Sequence, residues 1–168
     1  MKRIPQWTLA LIAAIAALAL PACGGDDDES TGGGGALSDE AYAERTEAAL
    51  QTIVDLDELS KPLAEPESVE QYVAGVRGIS TKVDGAADEL DSIEPPEKVA
   101  SLHDELVTAV KDYGAAFTPV ADAAEAGDEA ALQTSAKQLQ DAAAGFQQAA
   151  TDLDARFRDE GIELNNLL

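Results

Sequence analysis

Residues 68–96 read SVEQYVAGVRGISTKVDGAADELDSIEPP. Ser68, followed three residues later by Gln71, is a capping box: the two side chains satisfy backbone N–H groups that a helix start leaves free. Behind it Val69, Tyr72, Val76, Ile79, Val83, Ala86, Leu90 and Ile93 recur every three or four residues. That spacing gathers apolar side chains on one face of a helix. Pro95 and Pro96 stop the pattern, because proline lacks the N–H that would continue the ladder. A capped, one-faced helix cannot bury its apolar stripe alone, so it requires partner helices.

Those partners lie on both sides in the sequence. Upstream, Ser38 is an N-cap with Asp39 and Glu40 in the first turn, where acidic groups favour the helix dipole. Its stripe is Tyr42, Ala49, Ile53, Leu56 and Leu63, and the expected end is near Ser60, ahead of Pro62. Downstream, a third helix begins at Pro96 and carries Val99, Leu102, Leu106, Val110, Tyr113 and Phe117. Thr118-Pro119 kinks or breaks it, a short recapped helix runs to Ala126, and Gly127 is the stop. Asp128 caps a fourth helix with Leu132, Ala136, Leu139, Ala143, Phe146, Ala150, Leu153 and Phe157 inward, ended by Gly161. Four such helices with short connections predict an all-α fold, an antiparallel up-down-up-down four-helix bundle over residues 37–161. Ile162, Leu164, Leu167 and Leu168 in the tail, residues 162–168, are expected to fold back on the bundle end. Leu106 and Phe146 are expected near its centre. Many stripe positions are Ala, which buries little area, so modest stability is expected.

The first 36 residues follow different rules. Lys2 and Arg3 precede an uncharged apolar run of 14 residues, Trp7 to Leu20. A membrane-spanning helix needs about 20 such residues, and the shorter run fits a signal-peptide core. Leu20-Pro21-Ala22-Cys23 then closes it. This segment resembles the bacterial lipobox at Leu20, Ala22 and Cys23, and departs from it at Pro21. The resemblance implies that residues 1–22 are removed and that Cys23, the only cysteine, carries a diacylglyceryl anchor. Two acyl chains, each CH₂ worth about 0.8 kcal/mol, hold a protein stably on a bilayer. Residues 23–36 contain GGDDDESTGGGG, without one apolar side chain in those 12 residues. Such a segment is expected to be a disordered spacer spanning roughly 20 Å. Asp26, Asp27, Asp28 and Glu29 lack the ligand spacing of a calcium loop.

Charge narrows the choice of partners. Eleven Lys and Arg stand against 33 Asp and Glu, a formal net charge of −22. Only basic charges precede Cys23, so processing makes the chain more acidic still. Binding nucleic acid needs clustered Lys and Arg, and an anionic lipid surface repels this composition. A protein partner, if there is one, is expected to be basic or bridged by cations. The whole resembles small, acidic, Ala-rich lipoproteins of high-GC Gram-positive bacteria, an impression shared by Ile93-Glu94-Pro95-Pro96 followed by Leu102-His103. The resemblance implies a cell-membrane location, lipid-anchored on the extracytoplasmic face, and no enzyme class.

No residue pattern supplies a reaction. His103 is the only histidine. Ser101 and Asp104 beside it cannot form a triad, because helical neighbours do not face one another. Val99, Ala100, Leu106 and Val107 occupy the positions from which a metal would need further ligands. His103 is therefore expected beside the core stripe, bonded to a carboxylate or water, marginal to stability, with no polar site in the core. No metal, cofactor or phosphate-loop motif is present. Tyr72, Tyr113 and Phe117 are expected at one end of the bundle beside Pro119, where they either fill a core layer or contact a small ligand or partner. The expected function is a non-enzymatic, monomeric, tethered binding or interaction module. The alternative is an extracellular ligand-sensing bundle that works with a membrane partner.

Overall fold

A computed structural model describes residues 37–160. The signal segment, Cys23, the spacer, Gly161 and the tail lie outside the described residues. Among the described residues six α-helices and one 3₁₀ turn follow one another: α1 Asp39–Val54, α2 Leu56–Ala64, α3 Val69–Asp91, the turn Glu97–Val99, α4 Ala100–Ala115, α5 Phe117–Ala126 and α6 Glu129–Asp159. No strand occurs among the described residues, and the helices form a bundle around one apolar core.

The expected caps are in place. Ser38 Oγ accepts from the Ala41 N–H at 3.3 Å, Ser68 Oγ from Gln71 at 3.1 Å, and Asp128 Oδ1 from Ala131 at 3.0 Å. Gln71 completes its box one residue early, with Oε1 accepting from the Glu67 N–H at 2.8 Å. Gly127 takes φ of 66°, the left-handed conformation that ends α5 without a Cβ penalty.

Two boundaries differ from expectation. The first helix does not run unbroken to Ser60. It stops at Asp55, whose carboxylate takes the Gln51 amide at 3.0 Å, and α2 restarts at once and continues through Pro62. Proline removes one donor and costs a helix several kcal/mol, yet the helix continues far enough to bury Leu63 just beyond it. The interruption near Pro119 falls earlier in the chain, at Ala116. Pro119 sits four residues after Ala115, so the missing N–H is the one that would have bonded the Ala115 carbonyl.

Helix α3 packs against α1, α2, α4 and α5, and α6 packs against α4 and α5. The approaches are close at two glycines. A Cβ on Gly75 would strike Leu63 Cδ2, and one on Gly114 would strike Asp84 Oδ1 and Val83 Cγ1. Ser80 Oγ uses the second approach to donate to the Gly114 carbonyl at 3.0 Å. Where the described chain begins and ends, Leu37 N–H donates to the Glu94 carbonyl at 3.4 Å. Lys98 Nζ bridges Asp39 at 2.6 Å and Glu160 at 3.4 Å.

Candidate functional site

The core contains a polar site, contrary to the sequence expectation. Tyr42 stands in the first turn of α1, placed there by the Ser38 cap. His103 stands in the first turn of α4, which Val99, fully buried, anchors from the 3₁₀ turn. Tyr42 is 0% and His103 3% exposed. The Tyr42 hydroxyl and His103 Nδ1 are hydrogen-bonded at 2.9 Å. The rings meet edge to face, 5.5 Å apart at 68°. On its other side Tyr42 stacks on Phe157 of α6, 5.5 Å away at 16°. Aromatic pairs favour both arrangements.

His103 thus pairs with a phenol and not with the carboxylate or water expected. The reason is the width of the buried face of α4: Leu106 and Val110 point inward as expected, but the face extends toward His103 and Val107, and Leu102 is left half-buried at its edge.

Burial sets the protonation of this pair. Desolvation pushes the Tyr42 pKa up to about 12, tempered by the nearby Thr46 hydroxyl and reinforced by Asp104. Desolvation also lowers the His103 pKa, against the pull of Asp104, the Leu90 backbone carbonyl and Asp91. A buried site disfavours the charged form of either group, so at neutral pH the site holds a neutral phenol and a neutral imidazole. Thr46, one turn along α1, is 0% exposed. Its Oγ1 has no aligned hydrogen-bond partner. Thr46 is not in the stripe that apolar spacing picks out, although its place one turn after Tyr42 puts it on the same face.

Of the three residues expected at one end of the bundle, Tyr113 and Phe117 come together. Tyr113 meets Phe117 edge to face at 5.1 Å and stacks on Phe146 at 6.1 Å. Tyr72 is not among these ring contacts. All three residues are buried, and burial raises the pKa of Tyr72 to about 12 and that of Tyr113 as well. Phe146, expected at the centre of the bundle, is only half-buried at the edge of the cluster.

Among the described residues no group of three or more His, Cys, Asp or Glu is arranged to hold a metal ion. No described helix is long and apolar enough to cross a membrane. Compared with known protein families, characterised proteins and solved structures, the chain matches none.

Proposed function

We propose that this chain is a cell-envelope lipoprotein, a non-enzymatic binding or interaction module held on the outer face of the membrane through Cys23. The observation that carries the reading is the succession of Trp7–Leu20, Leu20-Pro21-Ala22-Cys23 and a spacer without apolar residues. The helical body beyond the spacer keeps its own polar pair, Tyr42 and His103, in the core. The acidic surface favours a basic or cation-bridged partner by long-range attraction.

In this reading the body is a monomeric, antiparallel up-down-up-down four-helix bundle. Cross-helix pairs support that order. Lys111 pairs with Asp91, Gly114 with Ser80, and Asp122 and Glu125 with Arg77. Positions rise along α4 and α5 as they fall along α3.

Fractionation tests the proposal. Cys23→Ser moves the protein from the membrane fraction to the soluble fraction and abolishes the lipid mass increment. A variant that still sediments with membranes and keeps that increment refutes the anchor. A second reading, a small-ligand-sensing bundle, draws on one feature: Phe146 reaches the surface while stacked on Tyr113. Native mass spectrometry decides it, by a small molecule that accompanies the wild type and is lost in Phe146→Ala.

A further inference from the structure

Three polar groups are buried together in the core: Thr46 Oγ1, Tyr42 Oη and His103 Nδ1. The last two are bonded at 2.9 Å. The first is buried, without an aligned partner, and beside Tyr42 on the same helix face. The backbone carbonyl of Leu90, at the C-terminal end of α3, approaches the imidazole as well. With Nδ1 taken by Tyr42, the Leu90 carbonyl is the acceptor for the other ring nitrogen.

We propose that Thr46, Tyr42 and His103 form a proton-binding site, a hydrogen-bond chain whose direction reverses when His103 takes up a proton. In the neutral state Nε2–H donates to Leu90 and the Tyr42 O–H donates to Nδ1. The Thr46 hydroxyl is then the spare acceptor. When a proton from solvent binds Nδ1, that nitrogen becomes a donor to Tyr42 Oη. The phenol can no longer donate to it, and its O–H turns to Thr46 Oγ1. The phenol and both imidazole N–H groups keep an acceptor in the charged state; one proton is gained, the Tyr42 O–H exchanges Nδ1 for Thr46 Oγ1 as its acceptor, and no other covalent bond is made or broken. A buried polar network stays in the fold only when its members are satisfied; without Thr46 the charged state would strand the phenol proton.

The surrounding charges are arranged for a site that accepts a proton reluctantly but within the fold. Asp104 on α4 and Asp91 at the end of α3 attract the imidazolium, and Asp91 is itself paired with Lys111. On α6, Asp154 lies one turn from Phe157 and is bonded by Arg158. Lys98 beside α4 is neutralised by Asp39 of α1 and Glu160. The C-terminal dipole of α3 at Leu90 favours positive charge, while the N-terminal dipole of α4, in whose first turn His103 stands, and desolvation oppose it.

His103 is the only histidine of the chain, so the full untagged chain in detergent micelles, labelled with 15N-histidine, gives one imidazole spectrum. At pH 8 the ring carries its proton on Nε2. On acidification it titrates below the usual histidine value while the helical circular dichroism persists. Thr46→Val, which removes the spare acceptor and keeps the shape, lowers the midpoint by about 0.5–1 in pH, the worth of one net hydrogen bond. Thr46→Ser restores it. A proton on Nδ1 at pH 8, a midpoint unchanged in Thr46→Val, or protonation only as helicity is lost each overturns the proposal. If Thr46→Val does not fold, the tautomer and the titration of the wild type decide alone.

Discussion

His103→Ala removes a ring that is 3% exposed, and three losses follow. The Tyr42 hydroxyl, buried, loses its partner, at a cost of about 1–3 kcal/mol. The edge contact between the rings is worth a further 0.5–1.5 kcal/mol or so, roughly the value of such pairs elsewhere. A cavity opens where the imidazole stood, and the Thr46 hydroxyl recovers part of the first loss by taking the phenol proton. The net is about 2–4 kcal/mol, which overlaps the range of about 2–5 kcal/mol for truncating a buried leucine such as Leu106. A residue merely flanking the core costs less than about 1 kcal/mol, which is what sequence spacing alone expects here. Urea melts followed by far-ultraviolet circular dichroism at pH 8 separate the two. With a slope of about 2 kcal/mol/M the midpoint falls by about 1–2 M. Tyr42→Phe is the partner variant, and the double variant is less destabilised than the sum of the two singles by about 1 kcal/mol, because the shared bond is lost once. A His103→Ala midpoint within about 0.5 M of wild type, or strict additivity in the double variant, refutes the buried pair as a source of stability.

Leu106→Ala, at a fully buried position, costs about 2–5 kcal/mol, and Phe146→Ala, half-exposed, costs clearly less in the same melts. Gly78→Ala, where a Cβ meets open space, stabilises by about 0.5–1 kcal/mol, whereas Gly114→Ala, driven into Asp84 and Val83, destabilises. Stability also depends on pH through His103. Its folded pKa is lowered by burial, so the unfolded chain takes the proton first, near 6.5, and binds more protons over the window below that value. The contribution is complete above about pH 6.5 and is lost as pH falls toward the folded midpoint. Melts of wild type and His103→Gln at pH 8 and pH 5.5 show a smaller loss on acidification in the variant.

Helix ends were legible because caps act locally. Ser38, Ser68, Asp128 and Gly127 each satisfy groups within three or four residues, so spacing alone reveals them. The Asp55 break was not, since the Gln51–Asp55 side-chain bond at that point has a counterpart, Gln148–Asp152, inside unbroken α6, and so carries no stop signal. Apolar periodicity located the inward stripes of α1, α3 and α6 but left the edges of each buried face open. On α4 that freedom mattered. The buried face of α4 extends from Leu106 and Val110 toward His103 and Val107 and leaves Leu102 at its margin, and both Leu102 and His103 sit equally well beside Leu106 in a list of spacings. The partner that settles it, Tyr42, lies 61 residues away. Thr46 escaped for a simpler reason: a hydroxyl on an apolar stripe reads as a gap in the stripe, although threonine at that position is fully buried.

The clasp where the described chain starts and ends gives the body a mechanical polarity. A pull on the chain at Leu37 loads the Leu37–Glu94 bond and the Asp39–Lys98 ion pair first, with the Tyr42–His103 bond one turn behind them. These contacts lie in series at the entry of α1, so tension peels the helix from one end and breaks them one after another. An unzipping geometry of this kind yields at lower force than one in which the same contacts share the load in parallel. The α3–α5 pairing of Arg77 with Asp122 and Glu125, more than two turns of α3 from that entry in the direction of Ser68, bears none of the load until α1 has left.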